Sequence, residues 1–106
     1  MPRLFAILTL PLMLAACDNA GGPEATRVFK YYGTTQCNPH EGRLEALGAE
    51  LRASGVDVLV MRPGDDGMMR IALCGAPDGR IGIFHIPKAQ LPAARAAGFE
   101  PYTGDQ

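Results

Sequence analysis

Met68-Met69-Arg70-Ile71-Ala72-Leu73-Cys74 is the stretch on which the fold turns. Read with a period of two, it puts Met69, Ile71 and Leu73 on one face of a strand. Read as a short helix, it has Asp66 as N-cap and Gly75 as the glycine past the C-terminus. The alternation favours the strand. Both sides are punctuated, by Pro63-Gly64-Asp65-Asp66-Gly67 before it and Gly75-Ala76-Pro77-Asp78-Gly79 after it. Asp65 and Asp66 suit turn geometry, and are expected there as solvated turn residues rather than as a carboxylate pair for acid–base work.

Outward from this stretch the chain reads as alternating strands and helices. Residues 80–86 (RIGIFHI) and 56–61 (VDVLVM) are strands, and residues 27–33 (RVFKYYG), with Phe29 and Tyr31 on one face, form the first. Between the first two strands Asn38 is a suitable N-cap, Pro39 a suitable first helical residue, and Glu41 completes a capping box. Leu44, Leu47 and Leu51 follow at helical spacing and Gly55 ends the helix. Strand, helix and strand predict a β-α-β unit with parallel strands. A second helix spans 88–97, with Pro92 confined to its first turn because deeper in it would cost about 3 kcal/mol. Gly98 caps it, Phe99 packs back, and Glu100-Pro101-Tyr102 makes a short edge strand. The expected fold is a small α/β domain of the α+β kind, β-α-β-β-(β)-α, with one mixed sheet covered on one face by two helices. LGAELRASGVDV (47–58) and LPAARAAGFEPY (91–102) share a helix-Gly-strand rhythm.

Composition sets the class. The 106 residues are 47% hydrophobic with a net charge of −1, ordinary for a globular protein. Setting residues 1–16 aside leaves ten Lys and Arg less Arg3 against eleven Asp and Glu, with no dense basic patch. Nucleic acid and polybasic membrane contact are therefore not expected.

The N-terminus carries the address. Arg3 precedes an apolar run over residues 4–14, too short for a spanning helix and interrupted by Pro11, and the run ends in Leu14-Ala15-Ala16-Cys17. These four residues resemble the lipobox of bacterial lipoprotein precursors. The resemblance implies removal of residues 1–16 as a signal peptide and lipidation, palmitate included, of Cys17. Two or three acyl chains hold a protein stably where one is marginal. Residues 17–26 then form the lipidated cysteine and a Gly/Pro-rich tether, and 27–106 a single domain in the periplasm. Asp18 resembles the signal that retains such proteins at the inner membrane.

With Cys17 lipidated, Cys37 and Cys74 remain, and an even pair in an oxidising compartment is expected to bridge. A bridge competes with the strand reading. A full return strand over 68–74 would carry Cys74 to the far edge of the sheet, whereas Cα atoms must lie within about 7 Å to bond. Alternatively Cys37, just before a helix N-cap and near His40, could be a nucleophilic thiol. Cys37, His40, Cys74 and His85 lack metal-ligand spacing, and no metal or other cofactor is expected. His85 alternates with Ile81 and Ile83 and is expected to be a packed or edge histidine.

Residues 45–61, 69–75 and 93–102 resemble the SPOR domain, a βαββαβ module of bacterial envelopes that binds peptidoglycan glycan strands; on that pattern residues 80–86 would be an extra strand. Strand, Cys37-Asn38-Pro39-His40, helix and strand also resemble a thioredoxin-like unit, with His40 where the second redox cysteine would stand. The expectation is a lipid-anchored, non-enzymatic binding module for peptidoglycan or an envelope protein, Tyr31 and Tyr32 being the candidate ligand-binding residues. The alternative is a thiol-redox protein using Cys37.

Overall fold

The computed structural model describes residues 24–104; the expected signal peptide, Cys17 and most of the expected tether lie outside them. The strands and α-helices follow in the order β1 (Ala25–Tyr31), α1 (Arg43–Ala53), β2 (Val60–Asp65), β3 (Arg80–Pro87), α2 (Leu91–Ala96) and β4 (Glu100–Pro101). The sheet order is β2-β3-β1-β4 and every neighbouring pair is antiparallel. This is a split β-α-β arrangement, an α+β fold, with the helix-side core on one face.

β1 and β2 run in the same direction, as the β-α-β expectation has it, but β3 lies between them, so the sheet is antiparallel rather than mixed. The cause is in residues 68–74, which form no strand. The chain leaves β2, makes an irregular connection over 66–79, and returns as β3 paired along both β2 and β1. Cys37 and Cys74 are bonded, with Cα atoms 5.1 Å apart. Of the two competing expectations the bridge prevails. With 68–74 out of the sheet, residues 80–86 fall in the third of the four strands among the described residues.

Several boundaries move. The second helix, expected over 88–97, is a 3-10 turn over Lys88–Gln90 followed by α2, with Pro92 in the first turn of α2 as expected. Asn38 does not cap α1, because its side-chain amide donates back to Thr35 Oγ1 at 2.7 Å, and the helix begins after Gly42 (φ +84°). β2 starts four residues later than expected, since Val56 is taken by the helix end, and it runs on through Pro63 and Gly64. An edge strand tolerates proline, having no ladder to complete on its outer side. Ala25 and Thr26, expected in the tether, pair with Pro87 and Ile86 as the start of β1.

Both helix ends are built alike. Gly55 N–H donates to Arg52 O and Val56 N–H to Leu51 O; Gly98 N–H donates to Arg95 O and Phe99 N–H to Ala94 O, all at 3.0 Å. These are Schellman ends, with the glycines at φ +83° and +95°. Val56 and Phe99 are thereby driven into the core, which is the physical content of the repeated rhythm. They join Val28, Leu47, Leu51, Phe84, Ile86 and Ala94 between sheet and helices, where Phe84 and Phe99 meet edge to face at 5.6 Å.

Candidate functional site: the helix-free face of the sheet

Alternation along β1 and β3 sends Phe29, Tyr31, Ile81, Ile83 and His85 to the face that no helix covers. Cross-strand pairing sets Phe29 opposite Ile83 and Tyr31 opposite Ile81. The isoleucines are buried there, and the aromatic rings beside them are half-buried or exposed. Phe29 is the hub, edge to face with Tyr31 at 5.8 Å and with Tyr102 at 5.9 Å. The Arg27 guanidinium lies over the Tyr102 ring, 5.3 Å from its centroid.

These rings line an open groove of about 410 Å³ with Ile81 as its apolar base, within the size range of small-ligand sites. Asp65, Asp66, Gly67 and Met68 form one rim and Thr103 and Gly104 the other. Tyr31 is held in place. Its hydroxyl donates to Asp66 Oδ2 at 3.0 Å, and Asp66 also accepts from both Arg70 Nη atoms and from the Met68 N–H. The bond to Asp66, helped by partial desolvation, raises the Tyr31 phenol above its ordinary value of 10.0. The Arg70 hydrogen bonds, then that of Met68 N–H, hold the Asp66 carboxyl well below the usual carboxylate range. With four donors on it, Asp66 shapes the groove and is unsuited to proton transfer.

Tyr31 and Tyr32 point to opposite faces. Tyr31 is 47% exposed on the groove, whereas Tyr32, at 6%, belongs to the helix-side core beside His40, so of the two candidate tyrosines the structure places one on the groove and one away from it. The groove residue missed from the sequence is Tyr102, placed by the Tyr102 N–H to Arg27 O bond that extends β4. Its only sequence signal is an aromatic two residues into a short edge strand.

The other candidates take structural places. Cys37 is bonded to Cys74 and stands six residues before α1, so no helix dipole acts on its sulfur. Asp65 caps its own turn by accepting from Gly67 N–H at 2.7 Å. Burial alone would raise Asp78, but hydrogen bonds from Thr34 Oγ1 (2.6 Å) and Arg80 N–H (3.0 Å) hold it below its ordinary value. His85 is packed between strands opposite Arg27, its Nε2 buried without a partner; burial, then the charges of Arg62 and Arg27, lower its pKa. Among the described residues no three His, Cys, Asp or Glu side chains come together as a metal site. No helix among them is long and apolar enough to cross a membrane.

Compared with known proteins, the chain matches no family model, no curated protein and no solved structure. Its function is therefore read from its own residues.

Proposed function

We propose that the protein is a lipid-anchored component of the bacterial cell envelope, facing the periplasm, whose domain is a non-enzymatic binding module for the glycan of peptidoglycan. The observation that carries the ligand assignment is the trio Phe29, Tyr31 and Tyr102 around one open groove on the sheet face that no helix covers. Aromatic rings offer flat apolar surface for sugar rings, and the hydroxyls of Tyr31 and Tyr102 supply polar edges. The address rests on Leu14-Ala15-Ala16-Cys17 and the apolar run before it, with Asp18 favouring the inner membrane. A thiol-redox role for Cys37 has less support, since the groove chemistry does not involve it.

Co-sedimentation with purified sacculi tests the ligand. The protein is expected in the pellet, and to be released by soluble glycan fragments. Protein left wholly in the supernatant would overturn the glycan assignment. Metabolic labelling with a radioactive fatty acid tests the anchor, and Cys17→Ala should abolish the label.

A further inference from the structure

We infer that the connection between β2 and β3 is a membrane-docking loop, seating Met68, Met69, Ile71 and Leu73 in the interfacial layer of a phospholipid bilayer. This rests on the reading of Cys17 as a lipid anchor, because the contact is too small to act without one.

The loop is 14 residues long (66–79) and without helix or strand, a length usually kept for function. It exposes apolar side chains that ordinary loops do not: Met69 is 98% exposed, Ile71 76%, Met68 66% and Leu73 56%. It is also pinned. Gln36 clamps it from the side, its Nε2 donating to Ile71 O at 3.1 Å and its Oε1 accepting from Leu73 N–H at 2.9 Å. Gly75 N–H donates to Gln36 O, Met68 N–H to Asp66, and the Cys37–Cys74 bond closes the base. Apolar side chains are thus presented on a backbone whose polar groups are partly satisfied within the protein, as a lipid environment requires. From Gly67 to Gly75 the only charged side chain is Arg70, and Asp66 neutralises it.

Size favours a bilayer over a protein partner. A stable protein interface needs roughly 800 Å² per partner from about 20–30 residues, more than four side chains offer. A bilayer demands no shape complementarity, and a lipid anchor keeps it close at hand, so a weak contact suffices. The tether reaches. The loop lies at the Tyr31 end of the sheet and Ala25 at the other, roughly 20 Å away along β1. Cys17 to Ala25 is eight residue steps, up to roughly 26–29 Å of chain. Lipid and loop can therefore meet the same leaflet.

The chain contains no tryptophan, so Met69→Trp installs a single fluorescent reporter at the tip. The full-length protein, processed and lipidated in its host, is reconstituted in vesicles of phosphatidylethanolamine and phosphatidylglycerol with or without brominated acyl chains. Emission is expected to shift to the blue and to be quenched several-fold by the brominated lipid. Ala49→Trp, on the exposed side of α1, should not be quenched. Ile71→Asp with Leu73→Asp should abolish the quenching at position 69 while the protein still floats with the vesicles. Equal emission from both kinds of vesicle with the protein bound would overturn the loop assignment, leave the anchor standing, and assign the apolar tip to a protein partner. Failure to float at all would overturn the anchor and this proposal with it.

Discussion

The Asp66 carboxylate faces the Arg70 guanidinium through two parallel hydrogen bonds, Nη1 to Oδ1 at 2.8 Å and Nη2 to Oδ2 at 2.9 Å. Tyr31 donates to the same carboxylate, so one ion pair joins the apolar loop to the aromatic groove. Its titration has a definite sign. The folded-state pKa lies below the unfolded value of 3.8, so the carboxylate stabilises the fold above that value, and the contribution is lost as pH falls through the lower, folded value. Asp66→Asn should flatten the acid limb of a plot of urea midpoint against pH below about pH 4, and lower the midpoint at neutral pH. It should also return the Tyr31 phenol towards its ordinary value, read by ultraviolet absorbance. An unchanged acid limb and phenol titration would show that the ion pair does not persist in solution.

The bond between Cys37 and Cys74 closes a sequence separation of 37 residues around α1 and β2. Closing a loop of that length in the unfolded chain stabilises the fold by about 4 kcal/mol on the chain-entropy account, a large share for a domain this small. The double variant Cys37→Ser, Cys74→Ser should lose about that much in urea denaturation, and the parent protein should lose the same amount on reduction. Alkylation of the folded, unreduced protein should label neither cysteine.

What local chemistry dictates is legible in the sequence. Gly55 and Gly98 announce helix ends because the left-handed residue after a helix is cheapest as glycine, and the β-branched residues of β3 announce a central strand. What two distant segments decide together is not. The alternation of Met69, Ile71 and Leu73 is that of a strand, yet the backbone of these residues is engaged by the Gln36 side chain, which nothing near them in the chain reveals. The start of α1 shifts for a similar reason. Cys37, at φ +70°, is turned towards Cys74, and Asn38 is spent on that turn rather than on the helix. Of the groove, Phe29 and Tyr31 could be placed on one face by their spacing, whereas Tyr102 arrives only through the pairing of β4 with β1.

Two glycines separate backbone strain from steric crowding. A Cβ at Gly55 would meet nothing within 4 Å, so Gly55→Ala is disfavoured only by its positive φ, a loss of about 1 kcal/mol. Gly82 has no positive φ, but a Cβ there would lie 2.8 Å from the Phe84 ring and 3.1 Å from Leu44. The ring edge and the helix above it cannot both retreat in a packed core, so Gly82→Ala should cost about 1–3 kcal/mol. Truncating Leu44 to alanine should recover part of the Gly82→Ala loss and none of the Gly55→Ala loss. Thermal denaturation of the two glycine variants, of Leu44→Ala and of the two double variants checks this coupling.

Tyr31 and Tyr32 are neighbours in sequence with opposite duties, because successive side chains of an extended chain leave on opposite sides. Tyr32 is packed in the core, where burial raises its phenol pKa; its N–H donates to Arg80 O at 2.9 Å and its carbonyl accepts from Arg43 Nε at 3.1 Å. Tyr32→Ala should therefore cost about 3 kcal/mol or more in stability, while the fraction still folded binds sacculi as before. Tyr31 contributes one exposed ring and one hydrogen bond to Asp66, so Tyr31→Ala should cost under about 1 kcal/mol. Its loss should instead weaken co-sedimentation with sacculi by about tenfold, as removal of a central aromatic anchor does. Tyr31→Phe keeps the ring against Phe29 and loses the hydroxyl with its bond to Asp66, so it should retain more of the binding than Tyr31→Ala. A Tyr31→Ala protein that binds sacculi like the parent would remove the helix-free face from the glycan assignment.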